Sequence, residues 1–286
     1  MNALGLEVSS VGNHEFDEGS NEIERMQYGG CHPVDGCQDG DGFRGADFSY
    51  LSANVVRNST GTTLFPPYVI KDFDGVKVAF IGETLEGTPE IVTPSGVAGL
   101  TFKDEADTVN ALVPKLERRG VKTIVVLLHE GGFQTGSIDA CTGMSGAILD
   151  IVQRTSHAVD AFITGHTHAA YNCVVDGRPV TSARSFGRVL TDLRMTISRV
   201  TGEPTAITAT NSAVTRDVAK DPTETAIVDK YRTLSAPLAN RVIGRRARRS
   251  RATRRRRASR RSATSSPTRS STRPRRPASA TRRSRS

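Results

Sequence analysis

Thr123-Ile124-Val125-Val126-Leu127-Leu128-His129-Glu130-Gly131-Gly132 is the stretch that decides the fold. Its first six residues are nearly all apolar or β-branched, the pattern of a strand buried on both faces within a parallel sheet. A histidine closes the run and two glycines follow, so an imidazole stands where the strand gives way to a loop. In open α/β sheets ligands collect outside the carboxyl ends of the strands, and glycine lets backbones approach closely there.

Working outward, Val76-Lys77-Val78-Ala79-Phe80-Ile81, opened by the Asp74-Gly75 turn, and Ala158-Val159-Asp160-Ala161-Phe162-Ile163 read as further strands. From Asp104 to Arg119 the apolar positions Ala106, Val109, Leu112, Val113 and Leu116 follow helical spacing. Acids lead that helix, arginines close it and Gly120 stops it, while Pro114 is expected to kink it. Met144 to Thr155 reads as a second amphipathic helix. Val174 to Thr181, Val189 to Ser198 and Ala206 to Val214, with turn signals at Asp176-Gly177 and Thr201-Gly202, read as antiparallel strands of a second sheet. The class is therefore α/β. The expected divisions are 1–215 for the main domain, 216–244 for a helical connector and 245–286 for a tail.

The tail distorts the composition of the whole. The 286 residues are 36% hydrophobic and carry a formal charge of +9, yet 18 arginines lie in 245–286 with no acid, no aromatic and no aliphatic residue larger than alanine. Such a segment cannot form a core and is expected to be disordered. Residues 1–244 hold 21 Lys and Arg against 30 Asp and Glu, an acidic body long enough to bury a core. No run reaches the roughly 18 apolar residues of a membrane span. No signal segment precedes the first motif, and Met1-Asn2-Ala3-Leu4-Gly5-Leu6 reads like the end of an interrupted helix, with Met1 an internal methionine of a longer ancestral chain.

Cys31, Cys37, Cys141 and Cys173 fall in no C-x-x-C spacing. Two disulfides, Cys31 to Cys37 and Cys141 to Cys173, would suit an exported protein; four free thiols in a cytosolic one are the other reading.

Only six histidines occur. His32 and His157 lack any motif and read as ordinary surface or core residues. Gly12-Asn13-His14-Glu15-Phe16-Asp17 and Gly165-His166-Thr167-His168 place an amide oxygen and three imidazoles in loops, a donor set suited to borderline divalent ions. With His129 they make a candidate centre for two-metal hydrolysis of phosphate esters.

Gly12-Asn13-His14-Glu15, Leu128-His129-Glu130-Gly131-Gly132 and Gly165-His166-Thr167-His168, in this order, resemble the later signature blocks of the calcineurin-like metallophosphoesterase superfamily. Asp17 after Glu15-Phe16 makes the first string similar to the bacterial bifunctional metallophosphatase/5'-nucleotidase branch, and the likeness extends over most of residues 1–243. The resemblance implies an αββα sandwich holding two divalent ions of the zinc, manganese, cobalt or iron class. It implies that Asn13, His129 and His166 ligate the second metal and His168 the first. It implies that His14 is no ligand but steadies the phosphoryl group and leaving oxygen, oriented by Asp17; Glu15 would be a supporting group. Nucleoside 5'-phosphates or related nucleotides are the implied substrates, and an extracellular, cell-wall or periplasmic location is the implied setting of the parent protein. Phe186 and Arg188 would line the pocket or serve a strand edge.

The chain departs from that pattern at both ends. An Asp-x-His and a Gly-Asp block are expected ahead of Asn13, where twelve residues stand, so the reading is of an N-terminally truncated, inactive or impaired domain holding one weakly bound ion or none. After Ala239-Asn240-Arg241-Val242-Ile243-Gly244 the likeness stops where a nucleotide-binding domain is expected. The tail reads as the product of a shifted reading frame. The alternative is a noncatalytic protein whose basic arm binds nucleic acid nonspecifically on a degenerate phosphatase scaffold.

Overall fold

The computed structural model describes residues 1–244. The arginine-rich segment, with its expected disorder and nucleic-acid binding, lies outside the described residues. Met1–Asn240 form one compact unit.

In chain order the strands are β1 (Val8–Ser10), β2 (Ser49–Leu51), β3 (Val55–Arg57), β4 (Tyr68–Phe73), β5 (Val76–Thr84), β6 (Leu100–Phe102), β7 (Thr123–His129), β8 (Ala161–Thr164), β9 (Ala170–Val175), β10 (Arg178–Ala183), β11 (Val189–Ile197) and β12 (Pro204–Ala213). The helices are α1 (Ser20–Tyr28), α2 (Thr88–Ile91), α3 (Glu105–Arg118), α4 (Ile148–Arg154) and α5 (Pro222–Ala239). Six strands form the main sheet in the order β4-β5-β7-β8-β10-β9, with β5, β7, β8 and β10 parallel to their neighbours in that run and β4 and β9 antiparallel at the edges.

The apolar run 123–128 is the reason the centre of this sheet exists. Ile124, Val126 and Leu128 face α3 and α4, where they share one core with Ala79, Ile81 and Phe162. Helix α3 begins where the sequence placed it, because Asp104 caps the amide of Asp107 at 2.9 Å. It runs on through Pro114. Helix α4 is shorter than the Met144–Thr155 expectation, since Ser145 exchanges backbone hydrogen bonds with Phe133, both at 2.9 Å, and Gly146 takes a φ of +108°. A ladder bond and a left-handed glycine stop the first turn from joining the helix.

The stretch Val174–Thr181 is two strands. Asp176 and Gly177 both adopt positive φ, the requirement of a tight hairpin turn, and β9 folds back on β10. Strand β10 then pairs in parallel with β8, Val180 opposite Phe162, so this hairpin extends the main sheet. Only β11 and β12 form the separate ribbon expected of the later strands. The short pair β1 and β2 packs against β5 and β7, and a second core gathers Val11, Phe16, Ile23, Val55, Phe65 and Phe102.

Helix α5 starts at the cap Asp221 and buries no residue; Tyr231 donates to Asp39 at 2.8 Å. Among the described residues no helix is long and apolar enough to cross a membrane. Disulfides join Cys31 to Cys37 and Cys141 to Cys173, the second tying the 133–145 loop to β9.

Candidate metal centre

Three parallel strand ends build the site. Register pairs Thr84 of β5 with His129 of β7, and Leu128 of β7 with Thr164 of β8, so the loops leaving β7 and β8 start side by side. Thr84 donates its hydroxyl to the Val11 carbonyl at 2.7 Å, which draws the exit of β1 to the same edge. Asn13 is the second residue beyond Val11 and is 3% exposed.

The outcome is a convergence of three donors from distant parts of the chain. Asn13 Oδ1 lies 3.1 Å from His129 Nε2 and 3.1 Å from His166 Nδ1. The two rings meet edge to face with centroids 5.5 Å apart. Two donors each about 2.1 Å from a common ion, at angles of about 90–110°, stand roughly 3.0–3.4 Å apart, so this spacing fits one coordination sphere. The chemistry fits as well, because an amide oxygen and two imidazoles suit borderline ions. Burial, then the neighbouring His166, His14 and His168, pushes the His129 imidazole down to about 4. At neutral pH it is therefore uncharged and offers a lone pair.

Close approach at this point depends on Gly12. A Cβ there would stand 2.7 Å from Glu15 Oε2 and 2.7 Å from His129 Cε1. Glu15 accepts a hydrogen bond from the Gly12 amide at 2.8 Å, so it braces the turn. Phe16, fully buried, packs edge to face on Phe102 at 5.2 Å and anchors the short 3-10 turn His14–Phe16 from below.

His14 is turned outward. Its side chain is 78% exposed, and Nδ1 lies 2.8 Å from Asp17 Oδ2, leaving the other ring nitrogen toward solvent.

His166 and His168 both adopt left-handed backbone, φ +64° and +55°, a costly conformation for residues other than glycine. The turn is braced by Thr167, whose amide reaches the Gly165 carbonyl at 2.7 Å and whose hydroxyl donates to Gly132 at 2.9 Å. The two rings diverge. His166 joins Asn13, whereas His168 lies edge to face with Phe186, centroids 5.6 Å apart. Phe186, 83% exposed and itself at φ +60°, is also covered by the Arg188 guanidinium.

Tyr171 carried no sequence signal, yet it organises the floor. Fully buried, it bonds through its hydroxyl to Thr164 and accepts from the Gly132 amide at 3.3 Å, linking the loops after β7 and β8. Its position in β9 becomes informative only once β9 is paired with β10. His32 and His157 stand elsewhere, beside Asp35 and Asp176.

Two kinds of likeness bear on this arrangement. In sequence the chain is 34% identical over 248 residues to endonuclease YhcR of Bacillus subtilis, covering 86% of this chain and 20% of that protein. It is 28% identical over 258 residues to the cell wall protein Lmo0130 of Listeria monocytogenes, covering 85% and 32%. In structure it matches calcineurin-like phosphoesterase YfkN of Bacillus subtilis with a TM-score of 0.65 at 22% identity, over 84% of this chain and 73% of that one. The fold is that of the calcineurin-like phosphoesterases. A 5'-nucleotidase precursor of Thermus thermophilus matches with a TM-score of 0.62 at 24% identity, over 84% and 45%. Nucleotidases and phosphoesterases, which are hydrolases, thus stand among the relatives of this chain. It spans about a fifth of YhcR and about a third of Lmo0130. No protein-family model matches it.

Proposed function

We propose that the body of this calcineurin-like chain is a metal-dependent phosphoric ester hydrolase of the 5'-nucleotidase type. The observation that carries the reading is the meeting of Asn13 Oδ1, His129 Nε2 and His166 Nδ1 at 3.1 Å spacings. Those three residues would hold a divalent ion of the zinc, manganese, cobalt or iron class, which when bound supplies Lewis acidity toward a phosphoryl oxygen and lowers the pKa of water.

The chain's own groups supply the rest. His14, held at Nδ1 by Asp17, presents its other nitrogen to the leaving oxygen and hydrogen-bonds or protonates it there. Asp17 fixes the ring's tautomer and orientation. His168, beside Phe186, is the one family-type ligand for a first metal among the described residues, so the complete set here serves one ion. Nucleotides are the proposed substrates, and two disulfides support an oxidising, exported setting for the protein, consistent with the cell wall protein among its relatives.

The test begins with chelator-stripped protein titrated with zinc and manganese, followed by phosphate release from nucleoside 5'-monophosphates. The reading requires one bound ion per chain, lost in Asn13→Ala and His166→Ala, and hydrolysis that depends on it. Binding that survives both substitutions overturns the assignment.

A further inference from the structure

The hydroxyl of Tyr171 sits in the middle of a buried hydrogen-bond chain, and every hydrogen in that chain has one possible direction. Thr164 Oγ1 donates to the Thr181 carbonyl at 2.8 Å. A hydroxyl carries a single hydrogen, so Thr164 accepts where it meets the Tyr171 hydroxyl, and Tyr171 donates. Tyr171 in turn accepts from the Gly132 amide at 3.3 Å. The order is therefore Gly132 to Tyr171 to Thr164 to Thr181, from the loop after β7 through β9 and the end of β8 into β10. Tyr171 and Thr181 are fully buried and Thr164 nearly so. Removing any link of a buried chain strands a partner.

The chain bears on both imidazoles of the candidate centre. Gly132 is three residues beyond His129, and Thr164 is two residues ahead of His166. The two loops touch closely. A Cβ on Gly131 would stand 2.5 Å from the Gly165 carbonyl oxygen, 3.0 Å from Thr167 Oγ1 and 3.1 Å from the Tyr171 hydroxyl. Thr167 donates to the Gly132 carbonyl at 2.9 Å, while Tyr171 takes the Gly132 amide. The segment carrying His129 is thus held at two points by the segment carrying His166 and His168.

We propose that Tyr171 is a positioning residue for the candidate metal centre. Its hydroxyl fixes the spacing of the His129 loop from the His166 loop, so that both rings meet Asn13 Oδ1 at 3.1 Å before an ion arrives. The inference rests on the reading of these three residues as ligands. Donors already held at their working separation lose less freedom on binding, so they grip an ion more firmly than the same donors on slack loops. Thr181 supplies an internal control. Among the described residues its own hydroxyl is buried without a hydrogen-bond partner, and only its carbonyl belongs to the chain.

The test uses the full 286-residue chain, stripped with chelator and titrated with cobalt(II) well below the Tm of each variant. Visible absorption of the bound cobalt reports both affinity and coordination geometry. Tyr171→Phe keeps the ring and removes the hydroxyl, so cobalt affinity should fall by about 10-fold and the absorption bands should move. Thr164→Val should do the same. Thr164→Ser should restore the parent's affinity and spectrum, and Thr181→Val should leave both unchanged. Parent affinity in Tyr171→Phe, no restoration by Thr164→Ser, or a loss in Thr181→Val equal to that in Tyr171→Phe would each overturn the proposal. Imidazole NMR resonances of the metal-free chain keep its failure distinct from that of the ligand reading. A parent that takes up no cobalt ends the metal assignment, whereas His129 and His166 resonances unmoved by Tyr171→Phe end the positioning role.

Discussion

Glu83 and Thr84 are neighbours on one strand, yet the pockets on their two sides differ in nearly every property. On the Thr84 side an amide oxygen and two imidazoles meet 3.1 Å apart, and burial keeps His129 neutral. On the Glu83 side a fully buried carboxyl has no hydrogen-bond partner, and burial raises both it and Glu105 toward the protonated form. Burial favours the neutral form in both places, but a neutral imidazole is ready to coordinate while a protonated carboxyl must first lose its proton. The same low dielectric therefore readies one group to ligate and withholds the other.

The sharpest separation of roles within the first pocket comes from His14→Ala. Metal content should be unchanged and phosphoester hydrolysis should fall by about 100- to 10,000-fold, read by rapid phosphate assay beside metal analysis. Asp17→Asn should give a milder loss of about 10- to 100-fold, since the ring remains but loses its orienting partner. A fall in bound metal in either variant would make His14 part of the coordination set and merge two roles that the geometry keeps apart.

Gly12→Ala tests whether the imidazole pocket is made by close backbone approach. The added methyl overlaps Glu15 and His129, and unfolding in denaturant should show a loss of about 1–3 kcal/mol together with weakened metal binding. If metal stays bound at parent strength, close approach at Gly12 is not what makes the pocket.

The smallest expected effect calibrates burial alone. Burial raises the Asp160 carboxyl from 3.8 to about 6, although the Ile124 amide donates to it. As pH climbs through 3.8 the unfolded chain gives up its proton first, so the folded state loses stability up to about 6 and does not regain it above. Asp160→Asn cannot ionise and still accepts the same bond. It should match the parent below pH 3.8 and exceed it by about 1 kcal/mol above pH 6, allowing for screening of a half-buried group, as measured by unfolding across pH. A difference that stays the same across those two pH values would show that burial does not raise the Asp160 carboxyl and would break the contrast.

How much of this was legible varied with the range of the forces involved. Strands β5, β7 and β8 and helix α3 were readable because apolar periodicity, a cap and a glycine stop are local signals. Helix α4 was overrun because its first turn is taken by a ladder to Phe133, and β9 and β10 were fused because the pairing of β10 with β8 is not written in either segment. Asn13, His129, His166 and His168 could be picked out by glycine-flanked motifs at strand ends. Tyr171, Thr84 and the unpaired Glu83 could not, since a tyrosine, a threonine or a glutamate in a strand has no special appearance until its neighbours across the sheet are known.

The amino-acid order by itself determined which segments become strands and helices and which side chains could ligate a metal, because propensity, periodicity and donor chemistry reside in single residues and their near neighbours. Tertiary structure decided that Asn13 reaches His129 and His166 but His168 turns to Phe186, and that Glu83 is sealed without a hydrogen-bond partner. Those outcomes depend on the register of parallel strands and on which face a residue takes, and both are settled only when segments more than 100 residues apart pack together.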